Sequence, residues 1–143
     1  MKKIMFIFVI CFVVLITIPT FAVPREIPIP TVGEPFIGIF NSVAVADAEG
    51  PFEYWVGYKM VVSTNKIGIE GLGVYTMSNI RWLIEKNYQI LKFNMMLGYE
   101  CVAYAAIVEK WVRDENGKLH HLFTLFIYDS SGNKLLKRIA YEK

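Results

Sequence analysis

Cysteine and histidine are scarce in this chain, and their scarcity excludes two kinds of small-domain architecture. Only two of the 143 residues are cysteines, and Cys11 lies within an apolar N-terminal run. Cys101 is therefore alone in the remainder, which rules out an internal disulfide and favours a buried, inert thiol. His120 and His121 are adjacent, so on a strand they would point to opposite faces. Because zinc normally takes three or four protein ligands, we expect no metal site and no cofactor.

Catalytic and phosphate-binding motifs are also missing. The chain has no serine elbow, no Gly-Lys-Ser/Thr phosphate loop and no helix carrying paired histidines with a glutamate. Residues 68–73, "GIEGLG", have the wrong spacing for a dinucleotide loop. The acidic stretches "RDENGK" and "DSSGNK" lack the spaced oxygens of a calcium loop and are typical of turns. We therefore expect a protein that is not an enzyme.

An excess of charge of one sign is absent once the N-terminus is set aside. The whole chain has 15 basic and 13 acidic residues, and removal of Lys2 and Lys3 leaves 13 of each. A neutral domain offers no electrostatic footprint for nucleic acid and no polybasic patch for an anionic membrane. The composition thus argues against nucleic-acid partners and against membrane contact beyond the leader.

What the chain does have is an export leader. A positive start precedes an apolar run from Ile4 to Ile18, whose 15 residues are short for a membrane span of about 20. Thr20 and Ala22 then occupy the small-residue positions of a cleavage site. This layout predicts a signal peptide over residues 1–22 and a secreted, periplasmic or cell-envelope protein.

Behind the leader the chain divides into an arm and one domain. Residues 23–40 are rich in proline, which fixes the backbone and removes a hydrogen-bond donor, so they predict an extended arm. Residues 41–143 predict a single β-rich domain. Such an arm can add a strand to a neighbour's sheet, which makes a structural or assembling envelope subunit one hypothesis for function.

Residues 78–98 fit two structures. They lack alanine and are rich in Ile, Trp, Tyr and Phe, which favours two strands joined at Lys86-Asn87, with Trp82 opposite Leu91. The hairpin also sets Arg81 opposite Lys92. The alternative is one helix over about 78–97, with capping residues at both ends.

Residues 106–141 predict three strands. Asn116-Gly117 is a favoured two-residue type I′ hairpin turn. In that register the paired residue numbers sum to 233, so Glu109 lies opposite Thr124. The same register places Trp111 opposite Leu122 and Ile107 opposite Phe126, all on one face.

Large apolar side chains on both faces of these strands require that both faces be covered. With about eight strands and short turns, we expect an all-β fold, an antiparallel meander forming a curled sheet or small barrel. This layout resembles that of the lipocalin-like barrels. The alternative is an α+β fold in which the helix at about 78–97 packs on a curved antiparallel sheet.

The candidate site follows from that barrel. Glu109 is a carboxylate between apolar positions, and it would orient a ligand if its face were interior. Aromatic neighbours complete a ligand-lining set of Trp82, Tyr88, Glu109, Trp111 and Phe126. The favoured function is an exported binding or interaction domain that holds a small apolar or amphipathic molecule.

Overall fold

A computed structural model describes residues 26–143, and the predicted signal peptide, residues 1–22, lies outside the described residues. Within the described range the chain forms ten strands and no helix. No helix there is therefore long and apolar enough to cross a membrane. The strands are β1 (Glu26–Pro28), β2 (Gly38–Asp47), β3 (Glu53–Tyr54), β4 (Lys59–Val62), β5 (Lys66–Ile69), β6 (Gly73–Ile84), β7 (Tyr88–Leu97), β8 (Glu100–Arg113), β9 (Leu119–Tyr128) and β10 (Leu135–Glu142).

Eight of the strands close into an antiparallel barrel. From β2 through β4 and on to β10, each strand pairs with the next along the chain, and β10 returns to pair with β2. The short β3 pairs with β2 outside this circuit. The prediction of an all-β antiparallel meander that closes into a small barrel is confirmed.

The segment 78–98 is a hairpin, so the alternative helix at about 78–97 is wrong. Trp82 pairs with Leu91 and Arg81 with Lys92, as the alternating pattern predicted. The amide of Glu85 donates to the carbonyl of Tyr88 at 2.9 Å and closes the turn. Bulky apolar residues that alternate with polar ones bury one face of a strand, and that burial outweighs helix capping.

The predicted register of β8 with β9 is wrong by one residue. Glu109 pairs with Phe123 rather than Thr124, and Trp111 with His121 rather than Leu122. The turn is a type I turn in which Gly117, at φ 82°, adds a bulge residue. The Asp114 carboxylate selects this turn, because its Oδ1 accepts hydrogen bonds of 2.9 Å from the amides of Asn116 and Lys118. A slip of one residue moves every side chain of β9 to the other face.

The N-terminal segment, residues 26–37, packs on its own barrel. β5 pairs with residues 73–76 of the long β6, and β1 pairs with residues 81–83 farther along. The amide of Val32 donates to the Thr64 carbonyl at 2.8 Å, and Val32 and Phe36 are each 2% exposed. This segment covers one end of the barrel, here called the arm end, where the β6–β7 and β8–β9 turns also lie.

The barrel interior is packed with apolar side chains from every wall strand. Phe36 and Phe40 both contact the ring of Phe123 edge-on, at centroid distances of 6.1 and 4.6 Å. Cys101 lies outside this core and is half-buried, so the expectation of a buried thiol is wrong. The largest fully buried side chains are Tyr141, Phe36, Phe40, Phe93, Phe123, Met60, Ile67, Ile69, Leu91, Met95, Ile107 and Leu125.

Candidate functional site

Three of the five predicted ligand-lining residues lie on the inner face at the arm end. Glu109 is 6% exposed, Trp82 packs against the core, and Trp111 reaches the rim, where it is 60% exposed. Tyr88 and Phe126 lie on the outer face instead. Phe126 pairs with Ala106 and Arg138, and it points outward because of the one-residue shift in register.

Glu109 is a buried carboxylate with a histidine as its partner. His121 Nε2 lies 2.6 Å from Glu109 Oε1. The His121 ring stacks on Trp111, with centroids 4.1 Å apart and planes 5° apart, and it also contacts Phe123 at a centroid distance of 4.6 Å, tilted by 51°. The imidazole therefore contacts two aromatic rings and directs one nitrogen at the carboxylate. A buried carboxylate is costly unless it is paired, and this contact supplies the pairing.

Sequence reasoning missed His121 because it assigned the wrong hairpin register. In the predicted register His121 and Glu109 point to opposite faces of the sheet, whereas in the structure they share the inner face. The signal that decides between the registers is Asp114, since aspartate at the first position and glycine at the fourth are typical of a type I turn. Asp114 and Gly117 occupy those positions.

Trp82 borders a small apolar cavity beside this cluster. Its indole Nε1 donates to Gln89 Oε1 at 3.0 Å, and Gln89 is the cross-strand partner of Glu109. The cavity has a volume of about 160 Å³ and lies between the barrel wall and the N-terminal segment. Trp82 and Leu91 form its barrel side, and residues of the segment form the other: Ile29, Thr31, Gly33, Glu34 and Phe36.

The second histidine lies on the outer face and joins the β8–β9 turn to the end of β10. His120 Nε2 lies 2.8 Å from Asp114 Oδ2, and Nδ1 lies 2.8 Å from Glu142 Oε1. The hydrogen bond to Asp114, followed by the one to Glu142, raises the pKa of His120 above its ordinary 6.5. The same bond to His120 lowers the pKa of Asp114, with help from the Lys118 amide. This arrangement is a charged brace between the β8–β9 turn and the last strand.

No set of three or more His, Cys, Asp or Glu side chains within residues 26–143 is placed to hold a metal ion. No family model, curated protein or solved structure matches this chain. Any function must therefore be argued from the barrel and its arm-end residues.

Proposed function

We propose that this chain is an exported β-barrel that binds a small apolar molecule, or the apolar end of an amphipathic one, in the arm-end cavity. The observation that carries the proposal is the cavity itself, walled by Trp82, Leu91 and Phe36. An apolar cavity of about 150 Å³ holds benzene or xenon, so a volume of about 160 Å³ suits one ring or a short branched alkyl group.

The wall chemistry supports an apolar occupant with a polar end. Ile29, Phe36 and Trp82 supply apolar atoms to the wall, and the Trp82 indole N–H is already bonded to Gln89, so this side of the cavity is apolar. Glu34 stands at the edge with its carboxylate mostly exposed and bonded to Lys143 Nζ at 3.0 Å. A ligand whose polar group points toward this charged edge keeps that group in water.

The alternative function, an assembling subunit, is not supported by this fold. That hypothesis required a Pro-rich arm that is free to reach a neighbouring molecule. Val32 and Phe36 of that arm are buried against the chain's own barrel, and its three-residue strand is paired with β6. We therefore advance ligand binding alone.

The indole N–H signals in an amide NMR spectrum test the binding. The chain has three tryptophans, at positions 55, 82 and 111. We expect toluene and hexanoate to shift the Trp82 signal with dissociation constants of about 0.1–1 mM, as suits so few ligand atoms. If neither probe moves that signal at several millimolar, the proposal fails.

A matched pair of glycine variants locates the site. Gly33 lies at the cavity, and a Cβ added there meets nothing within 4 Å, so Gly33→Leu adds bulk at the cavity edge without displacing the backbone. Gly50→Leu adds the same side chain at the opposite end of the barrel. We expect the first variant to abolish the Trp82 shift and the second to preserve it. Equal binding by both would place the probe elsewhere.

Export is tested separately, by the mass of the purified protein. Cleavage after Ala22 should leave a product that begins at Val23. An intact leader on a cytosolic product would refute the export part of the proposal without touching the cavity.

A further inference from the structure

A second concavity lies on the outer face of the wall formed by β6 to β9. Its floor is Ala106, whose neighbours across the strands are Lys92 and Phe126. A methyl group between two long side chains leaves a hollow. The β9–β10 turn forms one rim, because Gly132 lies so close to Tyr104 that an added Cβ would be 3.3 Å from the ring. This outer pocket, of about 440 Å³, falls in the range of small-molecule sites.

Two cations stand side by side in the outer pocket. Arg81 and Lys92 are direct cross-strand partners, an arrangement that costs free energy when both charges are alike. A bulge holds Arg81 in place, since Asn79 adopts φ 48° and its carbonyl accepts a hydrogen bond of 3.3 Å from Arg81 Nε. Asparagine is one of the few residues other than glycine that adopt this conformation readily, so Asn79 suits the bulge.

The chain itself places a carboxylate between these cations. Glu26 bonds to Lys92 Nζ and lies 3.7 Å from Arg81 Nη1. The hydrogen bond from Lys92 lowers the pKa of Glu26 most, and the charge of Arg81 adds to that effect. With one acid against two bases, a net positive charge remains, so the pair attracts a further anion.

The rest of the outer pocket suits a ring with hydroxyl groups. Tyr104 and Tyr128 are direct partners on β8 and β9 and present two aromatic side chains next to the cations. Asn79 and Ser131, which also line the pocket, add an amide and a hydroxyl group at its rim. Both groups can exchange hydrogen bonds with ligand hydroxyls. A purely aromatic acid has the anion and the ring but no hydroxyl groups for these side chains.

We propose that the outer pocket binds an acidic saccharide unit, with its carboxylate at Arg81 and Lys92 and its ring against Tyr104 and Tyr128. The apolar face of a sugar ring covers the tyrosines, the hydroxyl groups meet the polar rim, and the charge meets the cations. The site is on the outside of the wall, so it neither requires nor excludes a ligand in the arm-end cavity.

Amide NMR titrations with glucuronate, glucose and acetate test the proposal on protein purified from cells that express the full chain. We expect glucuronate to shift the amides of Lys92, Tyr104 and Tyr128 saturably, at low millimolar concentration. Glucose and acetate each supply half of the chemistry and should bind at least about tenfold more weakly, because each lacks one charge-assisted or stacking contact. Acetate as effective as glucuronate would reduce the site to a bare anion site. If glucose bound as tightly as glucuronate, the cations would contribute nothing to binding. Equal binding by acetate, equal binding by glucose, or no shift with any of the three compounds would overturn the proposal.

Two variants and a control complete the test. Lys92→Gln should weaken glucuronate binding by about fivefold to tenfold, the loss expected from one charge-assisted hydrogen bond at a partly exposed site. Tyr128→Leu keeps apolar bulk but removes the ring, and it should also weaken binding. Lys110→Gln removes an exposed lysine of β8 that is not in the pocket, and it should leave binding unchanged. Wild-type affinity in the first two variants, with native-like spectra, would refute the assignment.

Discussion

Replacing His121 by leucine measures how much the contact with His121 stabilises the barrel when Glu109 is buried. The measured quantity is the change in the free energy of unfolding. In the structure Glu109 is 6% exposed and has His121 Nε2 at 2.6 Å. Leucine removes that partner while leaving Glu109 in place among apolar neighbours. It also removes the stack between His121 and Trp111.

The size of the effect follows from these two losses. Removing the hydrogen-bonding partner of a buried polar group costs about 1–3 kcal/mol, because the group left behind has no partner in a poorly hydrated place. Loss of the stacked aromatic pair adds up to about 1 kcal/mol. The side chain of His121 is about one quarter exposed and that of Glu109 is 8% exposed, so the carboxylate is the group that cannot recover its partner from water.

A double-mutant cycle separates the interaction energy between Glu109 and His121 from the energies of their contacts with other residues. Glu109→Leu alone should cost only about 1 kcal/mol, since His121 can then turn to solvent. The double variant should unfold within about 1 kcal/mol of the wild type, because well-packed apolar residues often replace a buried pair without loss. Urea unfolding at neutral pH, followed by far-ultraviolet circular dichroism, measures all four proteins.

The reasoning is refuted if His121→Leu lowers the free energy of unfolding by less than about 1 kcal/mol, or if the double variant is as unstable as His121→Leu. The first result would mean that water reaches Glu109. The second would mean that the two side chains stabilise the barrel independently of each other.

Three further predictions concern other parts of the molecule. Leu91→Ala should lower the free energy of unfolding by about 2–5 kcal/mol in urea titrations, and should let the cavity admit a two-ring probe such as naphthalene; unchanged probe size would contradict the cavity's placement. Because Asp114 raises the pKa of His120 above 6.5, the stability from this contact is complete below pH 6.5 and is lost as the pH rises through the raised value. As the pH rises through the raised pKa, the urea midpoint of the wild type should fall relative to that of His120→Gln. If the two midpoints change with pH in parallel, the His120 contacts do not stabilise the barrel. Burial raises the pKa of Tyr141, and its hydroxyl has no partner among the described residues, so Tyr141→Phe should stabilise the barrel by about 1 kcal/mol in thermal melts, and a loss of stability would reveal a hidden partner.

The barrel was predictable from local patterns, since each wall strand pairs with its sequence neighbours. The hairpin at Lys86-Asn87 illustrates this: Trp82 alternates with polar residues and meets Leu91, so periodicity alone fixed the pairing. The bulge at Asn79 was not predictable, because no sequence signal separates a strand from a strand with one extra residue.

The candidate site was predictable only in part. Alternation along β8 predicts that Glu109 and Trp111 share one face, but their partner His121 depended on a turn that two geometries fit. Asn116-Gly117 satisfies both a two-residue turn and a type I turn with a bulge, and only the hydrogen bonds of Asp114 distinguish them. The placement of His121 therefore depends on one side chain in a turn.

Docking of the N-terminal segment was beyond local reasoning. Val32 and Phe36 stand among prolines and glycine, which indicates extended chain but says nothing about what the chain touches. Their burial depends on residues far along the sequence, such as Thr64 and Phe123. Contacts of this kind become visible only when the barrel is assembled.

Pairing of β2 with β10 determines when the barrel can close during synthesis and folding. Residues 41–47 gain their neighbouring strand only when residues 137–142 have been synthesised, so all the residues between them must come first. Until then the growing sheet has two bare edges, each able to recruit another molecule. Contacts so distant in sequence also slow folding. A chain shortened before Leu135 would lack β10, and we expect such a product to aggregate rather than persist as a smaller barrel.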